Sequence, residues 1–170
     1  MSTKAIKAAQ KVLRSVGYDI PVDIERIIQS HNIPIRYQPM EDSMSSMLVI
    51  KSGSAVIGVN QAHPPTRRRF SLAHELGHYL LHGKSPRVFL DASTIFFRDE
   101  LAAEGSDIEE IEANTFAAEL LMPENVLRRI IRQSPFDAFD ERAVQRLAAQ
   151  FEVSVQALTI RLTRLRLITA

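Results

Sequence analysis

Arg68-Arg69-Phe70-Ser71-Leu72-Ala73-His74-Glu75-Leu76-Gly77-His78-Tyr79-Leu80-Leu81-His82 decides the reading of this chain, because its apolar residues recur at helical spacing while His74 and His78 fall four apart. Residues four apart on an α-helix differ by about 40° in azimuth and stand one turn above each other, so both imidazoles can reach one cation. Glu75 lies about 100° round from His74, beside the cation, where a general base can take a proton from water. With His74 at 0°, Ala73, Leu76 and Leu80 fall near 200–260° and Phe70, Gly77 and Leu81 near 300–340°. The apolar stripe therefore adjoins the histidine face, which is expected at the edge of a cleft. Gly77 costs about 1 kcal/mol relative to alanine inside a helix, so another element is expected to approach it closely, a strand or a partner helix. With 5 His and 12 Glu in 170 residues, chance gives an HExxH match in roughly one such chain in a hundred.

Two imidazoles leave a catalytic metal site one protein ligand short. The chain has no cysteine, so the third ligand must come from His, Asp or Glu, and thiol nucleophiles, disulfides and iron–sulfur clusters are excluded. His82 stands about 12 Å along the axis from His74 and cannot share its metal on a straight helix. It reads as a helix-end or rim residue, and His31 and His63 are isolated in the sequence. The remaining source is a carboxylate on a second helix, where Glu109, Glu110, Glu112 and Glu119 are available. Glu112 precedes Ala113, Ala117 and Ala118, small residues that let two helices approach, but spacing alone leaves the four open.

Working outward, Ile6, Ala9, Leu13 and Val16 mark a helix over Thr3–Val16 with Gly17 just past its end. Pro21 and Val22 are expected to open a short second helix. Ile33–Gln38, Met47–Lys51 and Ala55–Val59 are short β-branched runs that read as a small antiparallel sheet. The helical period returns from about Thr66 to His82. The 84–106 connection, with Pro86 and Gly105, reads as an irregular loop beside the site. Helices follow at about Asp107–Met122, from Pro123, and at about Asp140–Gln150 and Ser154–Leu167. The expected class is α+β, with residues 1–125 as the main domain and 126–170 as a helical subdomain packed on it.

The composition, 45% hydrophobic and 24% charged, is that of an ordinary globular protein. The formal charge of +1 hides a strongly acidic middle, since positions 99–127 hold nine acidic and no basic residues. Nucleic-acid binders carry a domain-wide basic excess that this chain lacks. No apolar run reaches the length of a membrane span, and no apolar block of a secretory signal follows the N-terminal lysines, so a cytoplasmic location is expected.

The stretch around His74 and His78, followed by Ile111-Glu112-Ala113-Asn114-Thr115-Phe116-Ala117-Ala118-Glu119-Leu120-Leu121-Met122-Pro123, resembles the ImmA/IrrE family of zinc metallopeptidases. Ala55-Val56-Ile57-Gly58-Val59-Asn60 and the end of the chain look like that family too, so the resemblance runs from about position 20 onward. It implies a minimal zincin fold in which His74 and His78 bind Zn²⁺, Glu75 is the catalytic carboxylate, and a glutamate of the second motif completes the site. By position in the motif that glutamate is Glu112, with Glu109 next. The resemblance further implies a regulatory endopeptidase whose protein substrate is a helix-turn-helix transcriptional repressor, often encoded beside it on phage or mobile elements or in a stress response. The chain differs from larger members in ending near 170 residues, without an added sensor domain, and its acidic run from Asp99 to Glu112 reads as an embellishment of its own.

On that reading Zn²⁺ lowers the pKa of its water towards about 7 and Glu75 accepts the proton. A second oxyanion donor is expected, with Arg67, Tyr79 and His82 as candidates. The competing reading is a non-proteolytic zincin-like module that binds a DNA-binding regulator, as in a toxin–antitoxin-like pair or an anti-repressor. Val144–Leu162 reads as helix, tight turn and helix with Ser154 as the second cap. Its stripe of Leu158, Leu162, Leu165 and Ile168 points to packing or partner docking and not to DNA binding.

Overall fold

The computed structural model describes residues 2–92, 105–133 and 140–168. Residues 93–104, which hold most of the expected 84–106 loop and part of the acidic run, lie outside them. Helix α1 spans Thr3–Val16 as its spacing predicts; the Ser2 side chain accepts from the Ala5 N–H, and the Gly17 N–H closes the last turn on the Leu13 carbonyl. Helix α2 (Ile24–Ser30) starts later than expected. Ile24, not Pro21, is its first residue, because the Asp23 carboxylate caps the helix there by accepting from the Arg26 N–H.

Strands β1 (Ile35–Gln38), β2 (Met44–Lys51), β3 (Ser54–Asn60) and β4 (Arg87–Ala92) form one sheet in the order β1-β3-β2-β4. The β2–β3 hairpin turns on Ser52 (φ 50°) and Gly53 (φ 79°), the positive pair that a two-residue turn needs to match strand twist. Two expectations are corrected here. The sheet is mixed, since β1 runs parallel to β3, and β2 begins at Met44, three residues before the expected Met47. Ser45 and Ser46 are thereby carried, fully buried, onto the sheet. Strand β4 occupies part of the expected loop and pairs antiparallel with β2, Asp91 opposite Ser46.

Helix α3 (Pro65–His82) lies against the sheet, and α4 (Gly105–Leu121) packs on α3 and on α1. A methyl group on Gly77 would meet the Ala113 Cα at 3.2 Å and Phe116 Cδ1 at 3.1 Å. The close approach expected at Gly77 is thus made by a partner helix. Ser71 through His78 are all buried, so the histidine face is roofed by α4 and does not stand at an open cleft edge.

Helices α5 (Glu124–Gln133), α6 (Glu141–Phe151) and α7 (Val155–Arg164) complete the described chain. Asp140 and Ser154 cap α6 and α7 through the Arg142 and Ala157 N–H groups. Leu158, Leu162 and Leu165 join the same apolar core as Ala5, Leu76, Phe116 and Phe151, and full burial of each large side chain contributes about 1.5–3 kcal/mol.

Candidate metal centre

Helix α3 brings the His74 and His78 side chains together because they stand one turn apart; their Nε2 atoms are 3.0 Å from each other. Helix α4 adds Glu110, whose Oε2 lies 3.2 Å from His74 Nε2 and whose Oε1 lies 3.0 Å from His78 Nε2. One nitrogen from each ring and a carboxylate oxygen lie within 4.8 Å of one another. This cluster is the one group among the described residues able to hold a metal ion. Two imidazoles and one carboxylate match the donor set of a catalytic zinc site, which keeps a further position open.

Glu112, expected from the motif, is not brought to the histidines. Two residues apart on a helix means about 200° in azimuth, so Glu112 points to α1. There its Oε1 accepts from Ser2 Oγ at 2.8 Å and its Oε2 from Lys4 Nζ at 2.8 Å, with His82 Nε2 at 3.6 Å. Ala113 and Ala117 stand three and seven residues after Glu110, so the small-residue face belongs to Glu110. Glu109 pairs with Arg87 at 2.9 Å, and Glu119 is buried against Arg161 on α7 with Gln10 Nε2 at 3.2 Å. Of the four glutamates, Glu110 alone reaches the pair.

Four residues that sequence reasoning did not single out complete the surroundings. Asn114, one turn after Glu110, has its Oδ1 3.0 Å from His74 Nδ1. With the proton on Nδ1, that nitrogen donates to Asn114 and the Nε2 lone pair is aimed at the cluster. Its position four after Glu110 is the signal that could have found it. Phe89 on β4 stacks on His78, with ring centroids 4.4 Å apart at 26°. Ser46 Oγ donates to Glu75 Oε1 at 2.8 Å and lies 3.4 Å from Asp91 Oδ2. Glu75 Oε2 and Asp91 Oδ1 are buried without a hydrogen-bond partner among the described residues.

The charges are strongly coupled. Burial pushes Glu75 up to about 8, although His74 and Ser46 oppose it. Burial likewise raises Asp91 to about 6. Burial disfavours a charged His74, but Glu110, Asp91 and Glu75 outweigh it and raise that imidazole to about 9. Glu110 goes the other way: burial would raise it, yet both histidines hold it down to about 2. Carboxylates and imidazoles that depend on one another in this way, with orphaned oxygens between them, mark a functional site more than a structural one. Of the expected oxyanion donors, Arg67 donates to Ser45 Oγ at 3.0 Å, Tyr79 packs against His31, and His82 faces Glu109 and Glu112.

The family described as the IrrE N-terminal-like domain, Peptidase_M78, matches residues 28–163. The chain belongs to the ImmA/IrrE family. One relative in that family's company is the uncharacterized immunity region protein 2 of Bacillus phage phi105, 33% identical over 129 residues, which are 72% of this chain and 71% of the phage protein. Another is the radiation response metalloprotease IrrE of Deinococcus radiodurans, 37% identical over 109 residues, which are 64% of this chain but 30% of IrrE. Among solved structures, one described as a Mycobacterium tuberculosis transcriptional regulator superposes with a TM-score of 0.63 at 19% identity, covering 96% of this chain and 47% of that one. That likeness shows the fold alone. No described helix is long and apolar enough to cross a membrane.

Proposed function

We propose that this ImmA/IrrE family chain is a zinc-dependent endopeptidase of HExxH type with a zincin-like fold, acting as a regulatory protease on a helix-turn-helix transcriptional repressor in the cytoplasm. Residues 126–170 serve as a helical subdomain against the metallopeptidase part. The observation that carries the reading is the convergence of His74, His78 and Glu110 beside the buried Glu75. Membership of a peptidase family and the likeness to a metalloprotease and to a phage immunity region protein support it.

His74 Nε2, His78 Nε2 and the Glu110 carboxylate would hold the ion. When bound, Zn²⁺ supplies Lewis acidity toward a carbonyl oxygen and brings the pKa of water to about 7. Glu75 is the proton carrier. Ser46 fixes its Oε1, which leaves Oε2, the orphaned oxygen, to take a proton from the attacking water and hand it to the departing amine. Asn114 keeps His74 in the tautomer that can bind metal, and Phe89 holds the His78 ring against the sheet.

Elemental analysis of protein purified without chelator tests the ligand set. About one zinc per chain is expected in the wild type and in Glu112→Ala, with loss in Glu110→Ala. Absence of zinc from the wild type, even after the metal is added back, would sink the peptidase reading. Glu75→Gln is expected to keep its zinc and to lose cleavage of a repressor substrate by about 10²–10⁴-fold.

A further inference from the structure

Beside the metal centre lies a cavity of about 290 Å³ between the N-terminal half of α3, the C-terminal half of α4 and one face of α7. It adjoins the site at Asn114, a residue that lines the cavity and whose Oδ1 also meets His74 Nδ1. Phe70, one turn before His74, forms another wall. The floor is apolar, formed by Ala118 of α4, Met122 just past its end, and Ala157 and Ile160 of α7. Its volume is ample for one large apolar side chain, and an apolar hollow with a few polar groups is the usual make-up of a binding pocket.

The charged groups around this floor are of one sign, among neutral ones such as Thr66, Thr115 and Gln156. Arg67, Arg161 and Arg164 line the cavity, and no acidic residue is among the described residues that do. Arg161 is committed to Glu119 and to the Met122 carbonyl at 3.2 Å, and Arg67 to Ser45. Arg164 is exposed at the last turn of α7. An apolar hole with a cationic rim complements an apolar side chain flanked by a carboxylate.

We propose that this cavity is the recognition pocket for the cleaved protein, taking a leucine-, methionine- or phenylalanine-like side chain while Arg164 reads a neighbouring Asp or Glu. The assignment rests on the peptidase reading for the identity of its occupant. It gives α7 a role that its helix-turn-helix look does not suggest: the helix reads a polypeptide and not a DNA groove. Specificity then lies on the C-terminal helices, while the chemistry lies on α3 and α4.

The test is binding, not turnover. The full chain, methyl-labelled at Ala, Ile and Met, is titrated with the blocked tripeptides acetyl-Asp-Leu-Asp-amide, acetyl-Asn-Leu-Asn-amide and acetyl-Asp-Ser-Asp-amide, as purified and again in chelator. Saturable shifts are expected at Ala118, Met122, Ala157 and Ile160 with the first peptide. Binding should weaken about tenfold when Ser replaces Leu, since a buried apolar side chain is lost. It should weaken about threefold when Asn replaces Asp, the size of a solvent-screened charge contact. Ala157→Phe should abolish the shifts by filling the cavity. Arg164→Glu, an exposed change that leaves the core alone, should reverse the preference for Asp over Asn. Shifts that never saturate, or that survive in Ala157→Phe of native fold, overturn the pocket. An unchanged Asp preference in Arg164→Glu overturns the acidic reading. A protein that binds the peptides yet cuts no repressor would count against the peptidase reading and leave the pocket standing, whereas one that cuts but shows no saturable shift would do the reverse.

Discussion

Helix α4 carries two inward-facing carboxylates nine residues apart, Glu119 fully buried and Glu110 partly so, and they live in opposite electrical company. Glu119 meets Arg161 and Gln10, a cation and an amide that match its oxygens. Glu110 meets two imidazoles and adds its charge to the burial that raises Glu75 and Asp91, with orphaned oxygens left over. One seam is complete as it stands and joins α4 to α7; the other is chemically unfinished and suits a cation. The difference teaches that burial of charge alone does not point to function. What points to it is burial without satisfaction.

The contrast is broken most severely at its satisfied end. Arg161→Ala would strand Glu119 without its cation in the interior, and a loss of about 3–5 kcal/mol in urea unfolding is expected. A loss under about 1 kcal/mol would mean that Gln10 suffices and that the two seams are less different than they look. At the unfinished end, Asn114→Ala frees His74 from its orienting partner. Metal affinity, read by competition with a chelator, should fall about 10–100-fold with little change in melting temperature.

A smaller effect follows from proton linkage. In the metal-free protein Glu75 is pushed up to about 8 and His74 to about 9, so the folded state keeps protons that the unfolded chain has given up. Their contribution to stability is present at low pH and is lost as pH rises through those values. Thermal melts in chelator should therefore decline from about pH 7 to pH 9, and added zinc should flatten the decline by holding the ligands deprotonated. A flat profile in chelator would show that the cluster is not charged as described. Glu112→Ala should do least: its partner Lys4 is 58% exposed, so about 1 kcal/mol or less is at stake, and a melting curve should show it.

Much of this was legible in the sequence because the signals are local. The bounds of α1, the Ser154 cap and the one-turn spacing of His74 and His78 depend on residues within four or five positions of each other. Strand β4 escaped because its alternation is inverted: Val88 and Leu90 are more than half exposed while Asp91 is buried. A strand that turns its carboxylate inward does not carry the usual pattern, and only the long-range pairing with β2 reveals it. Parallel pairing of β1 with β3 is likewise non-local. The choice of Glu110 over Glu112 needed the azimuth of α4 relative to α3, which the motif does not contain, although the alanines at 113 and 117 carry it once read from Glu110.

Gly77 touches no ligand, yet it sets how far apart the ligand-bearing helices stand. With the Ala113 Cα only 3.2 Å from where a methyl group would sit, the gap between imidazoles and carboxylate is a backbone dimension before it is a matter of rotamers. The spacing of Glu110 from His74 and His78 is thereby written into a helix crossing. Gly77→Ala would press α4 back by a few tenths of an ångström and carry Glu110 away from both imidazoles with every ligand residue unchanged.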